Sequence, residues 1–287
     1  MLERFTFRRL RPRRRQKSSA TPTATRARVV CVASGKGGTG KSVLTSNLAV
    51  LRAMRGERVL LIDFDAGMAN AHLLLGVAPR HDLTDVLSGE VDLRKALVDG
   101  PDGLKLLSTG VGSTGLVDPT RRELDKLFRA LRPLEDDFDL ILIDHGAGMG
   151  YVTQANLSAA QSLLLVASHE ITALSDAYAL YKRATQVNPN VRAGVVINNS
   201  PNEEFALSAW ERFRNVSQRF LGSEPEFVDW VPSDTAVQRS VQLRHPVVSS
   251  APTSKASRAI MRVGEWAPLD LPGTGGAFFD RARAALR

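Results

Sequence analysis

Gly35-Lys36-Gly37-Gly38-Thr39-Gly40-Lys41-Ser42 decides how the rest of this 287-residue chain is read. The octet ends in Gly-Lys-Ser and carries a second lysine directly after its first glycine. Four glycines let backbone N–H groups converge on phosphate oxygens without Cβ clashes, and a helix starting there adds its positive N-terminal dipole. Lys41 is placed to reach β- and γ-phosphates, and the Ser42 hydroxyl to hold Mg²⁺. The alternative, an ordinary glycine-rich turn, does not require seven constrained positions to match. The flanks agree with the first reading. Arg28-Val29-Val30-Cys31-Val32-Ala33 is the apolar run of a strand buried on both faces. Ser42–Met54 repeats apolar residues at helical spacing and stops near Gly56. Strand, glycine loop and helix is the context a nucleotide-binding loop needs, and Val43 is counted with its binding set.

Outward from the octet, strands are expected at Arg58–Asp63, Leu104–Leu107, Asp139–Asp144, Ser162–Ala167, Ala193–Asn198 and Phe227–Val231. Helical patterns fall near His72–Leu75, Leu83–Leu87, Leu93–Val98, Arg121–Leu131, Ile171–Gln186 and Glu204–Leu221. Strands alternating with helices argue an α/β fold: a doubly wound, mostly parallel sheet covered on both faces. No internal repeat and no second domain is visible. The expected organisation is a basic, disordered tail over 1–26, a nucleotide-binding domain over 27–268, and a glycine hinge with a C-terminal helix over 269–287.

Charge is unevenly placed. Residues 1–28 hold ten Lys/Arg against one Glu, +9, whereas the whole chain is +8, which leaves the remainder at −1. The tail, ending in a Ser/Thr/Pro/Ala stretch, reads either as a contact for anionic lipid or nucleic acid or as a solvated extension. One cysteine, Cys31, excludes disulfides, and the five histidines show no metal-ligand spacing. No apolar run approaches the ~20 residues that span a bilayer, and no secretory pattern is present. A cytoplasmic protein with nucleotide-bound Mg²⁺ as its one metal is expected.

In open parallel sheets, ligands bind outside the carboxyl ends of strands. Asp63, Asp65 and Asp144 fall at such ends. Asp144 follows Leu140-Ile141-Leu142-Ile143, the pattern of an aspartate that holds Mg²⁺ through water. Asp65 lies in a glycine-containing loop that can close on a γ-phosphate, which suits it to orient the attacking water, and Asp63 would support the Mg²⁺ shell. A turn or cap role is the alternative for such aspartates. Phosphoryl transfer asks for positioning and charge neutralisation, so no nucleophilic triad is expected. Lys36 is open between two readings: a residue that reaches a partner subunit's nucleotide, or an exposed lysine that raises local potential.

These segments, with Gly146-Ala147-Gly148 after Asp144, resemble the deviant Walker A ATPases of the MinD/ParA family over roughly residues 27–264. Within it, Gly67-Met68-Ala69-Asn70, Leu83-Thr84-Asp85-Val86-Leu87-Ser88-Gly89, Ser175-Asp176-Ala177-Tyr178 and Ser257-Arg258-Ala259-Ile260 are most similar to the flagellar-number regulators of the FlhG (FleN) branch. The resemblance implies a cycle in which ATP and Mg²⁺ sandwich two subunits, with Lys36, Lys41 and Asp65 catalytic. Asp63, Asp65, Gly67, Asp144, His145 and Gly148 would form the switch, and Asn198 and Pro232 would flank the adenine. It implies control of flagellar number or placement, with the FlhF GTPase or a switch protein as partner. It also implies peripheral attachment to the inner face of an anionic membrane through a C-terminal amphipathic helix. Pro272-Gly273-Thr274-Gly275-Gly276 reads as its hinge, and Phe278, Phe279 and Leu286 as its lipid-contacting residues, with a helix docked on the domain or a frayed end as the alternative.

The chain departs from that branch in three places. His145 stands where the pattern has threonine, His72 replaces an acidic residue, and the tail lacks the DQAxxLR motif that activates the partner GTPase. Two other readings stay open: a DNA-partition ATPase of ParA type, and a slow or non-hydrolysing nucleotide-binding scaffold. One cysteine excludes the iron–sulfur relatives, and the lack of tyrosine beyond Tyr181 excludes the tyrosine kinases of this fold.

Overall fold

The computed structural model describes residues 27–65, 69–110, 119–270 and 277–286. The basic tail, Gly67 and the hinge segment Pro272–Gly276 lie outside the described residues. Eight strands form one sheet: β1 Arg28–Ala33, β2 Val59–Phe64, β3 Val98–Asp99, β4 Lys105–Ser108, β5 Leu140–His145, β6 Ser162–Ala167, β7 Arg192–Ser200 and β8 Glu226–Pro232. Their order is β3-β4-β2-β5-β1-β6-β7-β8, parallel throughout except for the β3–β4 pair at one edge. The chain fills the β2 side first and crosses to the β6 side after β5, so β1 stands where the order reverses. In such sheets, the carboxyl end of that strand faces the ligand crevice.

The expected strands are all present within two residues of their limits. Their apolar runs are buried on both faces: Val30–Ala33, Leu140–Ile143 and Leu163–Ala167 are fully buried. One face of the sheet is covered by α1 Lys41–Met54, α2 Ala71–Leu75, α10 Val247–Ser250 and α11 Lys255–Val263. The other carries α3 Leu83–Ser88, α4 Arg121–Leu131, α6 Tyr151–Ala159, α7 Ile171–Val187 and α8 Glu203–Leu221. α5 Leu134–Asp137 and α9 Thr235–Gln242 complete the set before a last helix, α12 Phe278–Ala284. Capping boxes start α3 at Asp82 and α4 at Thr120, where each cap side chain accepts a backbone N–H and the N3 carboxylate returns the bond.

Two expectations are corrected. The helical pattern at Leu93–Val98 is a single 3₁₀ turn, Leu93–Lys95, followed by the edge strand β3. Gly100 and Pro101 leave no room for a longer helix there.

The second correction is at the C-terminus. α12 is not a free amphipathic helix but part of the core, packed on α4 and α6. Phe278 and Phe279 are buried, and the Phe279 ring stacks on Phe128 at 6.1 Å. The buried Glu135 carboxylate accepts the backbone N–H groups of both, at 2.9 and 3.0 Å, and so satisfies the helix N-terminus. Arg281 donates to the Ala159 carbonyl, and Leu286 packs partly buried on the same core. The apolar stripe read as lipid-facing thus has a protein partner. Each buried Phe contributes about 1.5–3 kcal/mol.

Candidate nucleotide site

The glycine loop joins β1 to α1 at the carboxyl end of β1. Gly38 and Gly40 have φ of +82° and +80°, a left-handed backbone that other residues adopt with strain. Gly35 is needed for space: a Cβ there would lie 2.1 Å from the carbonyl carbon of Asp176 in α7. At Gly40 a Cβ would lie 2.3 Å from Asn198 Nδ2, and that amide donates to the Thr39 carbonyl at 2.7 Å. Asn198, at the end of β7, therefore braces the loop as well as facing the neighbouring cavity.

Lys41 and Asp144 meet at the centre of the site. Lys41 Nζ lies 2.5 Å from Asp144 Oδ1 and 3.1 Å from Ser42 Oγ. Both charged side chains are buried, so their mutual neutralisation is required. Thr45, one turn along α1, also reaches Asp144 Oδ1, at 3.3 Å, and donates to the Lys41 carbonyl at 2.8 Å. Asp144 Oδ2 and Thr39 Oγ1 are buried with no hydrogen-bond partner among the described residues. An unpaired carboxylate oxygen beside a lysine and a serine hydroxyl fits a phosphate-bound Mg²⁺, as expected for Ser42 and Asp144.

Asp63 sits beside Asp144 in register across the β2–β5 pair. Its Oδ1 accepts from the Asp65 N–H, and its Oδ2 from the N–H groups of Asn70 and Ala71, all at 3.0 Å. Burial and the neighbouring Asp144 charge push the Asp63 carboxyl above the usual range. Asp63 thus ties down Asp65 and the start of α2 while standing in the same charged cluster as Asp144 and Lys41. Asp65 lies against the next loop, its Cγ 3.6 Å from where a Cβ on Gly146 would stand. Gly148, with φ of +89°, donates from its N–H to the Ser34 carbonyl at 3.3 Å, which ties that second loop to β1.

His145 pairs in register with Phe64 and stacks on it at 6.4 Å, on the opposite side of the sheet from Lys41 and α1. It is fully buried, neither ring nitrogen has a partner among the described residues, and desolvation holds its pKa at about 3, so the ring is neutral. Lys36 is engaged within its own subunit: its Nζ donates to Thr172 Oγ1 at 2.9 Å and to Glu170 Oε2 at 3.2 Å. Its side chain remains 42% exposed, at the open face of the loop.

A cavity of 440 Å³ adjoins the loop. It is lined by Gly40, Val43, Asn198 and Pro232, with Val237 and Val241 from α9 as an apolar wall. The residues expected to hold the nucleobase therefore converge on one space of suitable character. Sequence reading missed α9, Thr45, Glu170 and Thr172. Thr45 alone had a visible cue, a hydroxyl four residues after Lys41 on a buried helix flank.

A glycine loop at the sheet's reversal point, a lysine paired with a strand-end aspartate and a flanking base-sized cavity define a P-loop ATPase. The AAA domain model matches residues 27–197. The antiactivator FleN of Pseudomonas aeruginosa is 34% identical over 83% of this chain and 85% of its own length. The cell division ATPase MinD of Pyrococcus furiosus superposes with a TM-score of 0.70 at 29% identity, over 83% of this chain and 97% of that one. MinD of Pyrococcus horikoshii, solved with Mg-ADP, gives 0.69 at 26% identity, over 83% and 95%. The chain belongs to the MinD/ParA family of P-loop ATPases, and it uses ATP and Mg²⁺.

Proposed function

We propose that this ATPase dimerises with ATP and regulates the number or placement of flagella. The likeness to FleN supports the biological role. The pairing of Lys41 with Asp144 beneath a loop that also presents Lys36 supports the chemistry. In this reading, Gly35–Ser42 wrap the phosphates and Val43, Asn198 and Pro232 border the adenine. Lys36 exchanges Glu170 and Thr172 for the nucleotide of a second subunit. Asp65 accepts a hydrogen bond from the attacking water and orients it, while Asp63 and Gly148 hold the two loops that sense the γ-phosphate. Mg²⁺, held by Ser42 and Asp144, would neutralise charge on the phosphates.

Peripheral attachment to an anionic membrane belongs to the same proposal. Among the described residues no helix is long and apolar enough to cross a bilayer. Attachment through α12 would require the helix to leave the core, so it must be coupled to a change of state that offsets the lost burial of Phe278 and Phe279. Co-sedimentation with phosphatidylglycerol vesicles in ATP and in ADP, with and without residues 277–287, reports that coupling. For the biological role, the test is deletion of the gene in its own host, with flagella counted by electron microscopy. Unchanged number and position would overturn it. A regulatory protein partner is expected; neither FlhF nor nucleic acid is specifically favoured by the site.

A further inference from the structure

Two adjoining cavities, of 680 and 570 Å³, open on the face where α4, α6 and α12 meet, and both are lined by Arg121 and Leu286. Five cations line the first, Arg121, Arg122, Lys126, Arg129 and Arg283, against the single carboxylate of Asp125. The second adds Arg183 and no carboxylate. Asp125 is already committed, to Arg129 at 2.7 Å and Arg283 at 2.9 Å. Arg121, Arg122 and Lys126 make no ion pair with the described residues, and all three are exposed. The second cavity has aliphatic lining from Leu124, Val187 and Leu286, the last shared with the first.

Exposed cations without an ion pair along one groove raise its potential and favour an anionic partner there. We propose that this groove binds an acidic peptide segment of another protein, with carboxylates on the arginine rim and leucine-like side chains on the aliphatic lining. Charge complementarity names the sign of the partner, and the concave shape with an aliphatic lining favours side chains over a flat bilayer. The chain's own first 28 residues, with ten basic groups and one acidic, carry the same sign of charge as the groove and so lack the complementarity an occupant needs. Because Arg283, Ala285 and Leu286 form one wall, the groove exists only while α12 is docked, so a bound peptide would hold α12 in place. None of this depends on the nucleotide site, whose cavity is lined by different residues.

The probe is a fluorescein-labelled peptide of repeated Asp-Glu-Leu-Leu units, titrated by anisotropy with the full chain. Its controls are the same peptide with lysine for each acid, and polyglutamate. The acidic–apolar peptide should bind at least about tenfold more tightly than either control at physiological salt, where weak surface attraction is largely screened. The paired substitution Arg121→Glu with Lys126→Glu should cost at least about tenfold in affinity while ATP binding is unchanged, which shows that the variant is folded. Leu286→Ser, which removes apolar surface without adding charge, should weaken the acidic–apolar peptide and leave polyglutamate unaffected. Equal binding by the charge-reversed protein, or by polyglutamate, overturns the proposal. So does the absence of peptide binding, including the case in which phosphatidylglycerol vesicles or an oligonucleotide bind through Arg121 and Lys126 instead.

Discussion

Lys41 Nζ and Asp144 Oδ1 stand 2.5 Å apart in a buried pair, so the lysine that serves the phosphates is held by the aspartate assigned to the metal. In the proposed roles, nucleotide binding would exchange this pair for Lys41–phosphate and Asp144–metal contacts. The two substitutions each gain a partner of opposite sign, which is why the exchange can be close to balanced.

Asp144→Asn keeps the shape but leaves Lys41 buried without its counter-charge. Turnover should fall at least about a hundredfold, and the stability of the nucleotide-free protein should drop by about 3 kcal/mol. Titration of ATP with and without Mg²⁺ checks the role: wild-type Mg²⁺ dependence in the variant would remove Asp144 from the metal site.

Lys36→Ala should retain ATP binding and lose dimer-dependent hydrolysis. Glu170→Gln, which weakens the contact Lys36 makes in its own subunit, should leave turnover intact or raise it. ATPase rate against protein concentration distinguishes the two, and unchanged turnover in Lys36→Ala would sink the trans-lysine role.

Asp65→Ala should trap an ATP-bound dimer, because binding survives when the water is no longer oriented. Size exclusion with light scattering in ATP tests this; a monomeric variant counts against the assignment.

Glu135→Ala removes the acceptor of the Phe278 and Phe279 N–H groups. Two buried donors would then be unsatisfied, at about 1–3 kcal/mol each. Thermal unfolding should come earlier, and trypsin should cut sooner after Arg281 and Arg283. Wild-type cleavage kinetics would show that the α12 docking does not depend on this cap.

The buried His145 ring has a folded-state pKa of about 3 against an ordinary 6.5. Between those values only the unfolded chain takes the proton, so this contribution to stability is complete above pH 6.5 and is lost as pH falls. In His145→Gln, the fall in stability between pH 6.5 and about 4 should be shallower, by up to about 1.4 kcal/mol per pH unit. Denaturant melts across that range decide it, and parallel curves would mean that the ring is protonated in the folded protein.

The sheet and the phosphate loop were legible because their causes are local. Runs such as Leu140–Ile143 specify buried strands, and Gly38 and Gly40 specify a backbone that few other residues adopt. What was hidden depends on direction. A carboxylate at the end of β2 can be read from Asp63, but not that its oxygens are taken by the backbone of the following loop. The stripe Phe278, Phe279, Ala282 announces an apolar face without naming the surface that meets it, and here that surface is α4 and α6. α6 escaped notice because its small residues, Ala155, Ser158 and Ala159, give little contrast between faces. α9 and α11 are short helices beyond the last long strand–helix alternation.

The placement of α12 also sets an order in time. During synthesis the strands and α1 through α11 emerge before residues 278–284, so the face formed by α4 and α6 stays uncovered until then. A chain cut short after α11 therefore carries every element of its nucleotide site with an apolar flank still open. Such a product is fit for chaperones and proteases, while completion of the last helix conceals that flank from them.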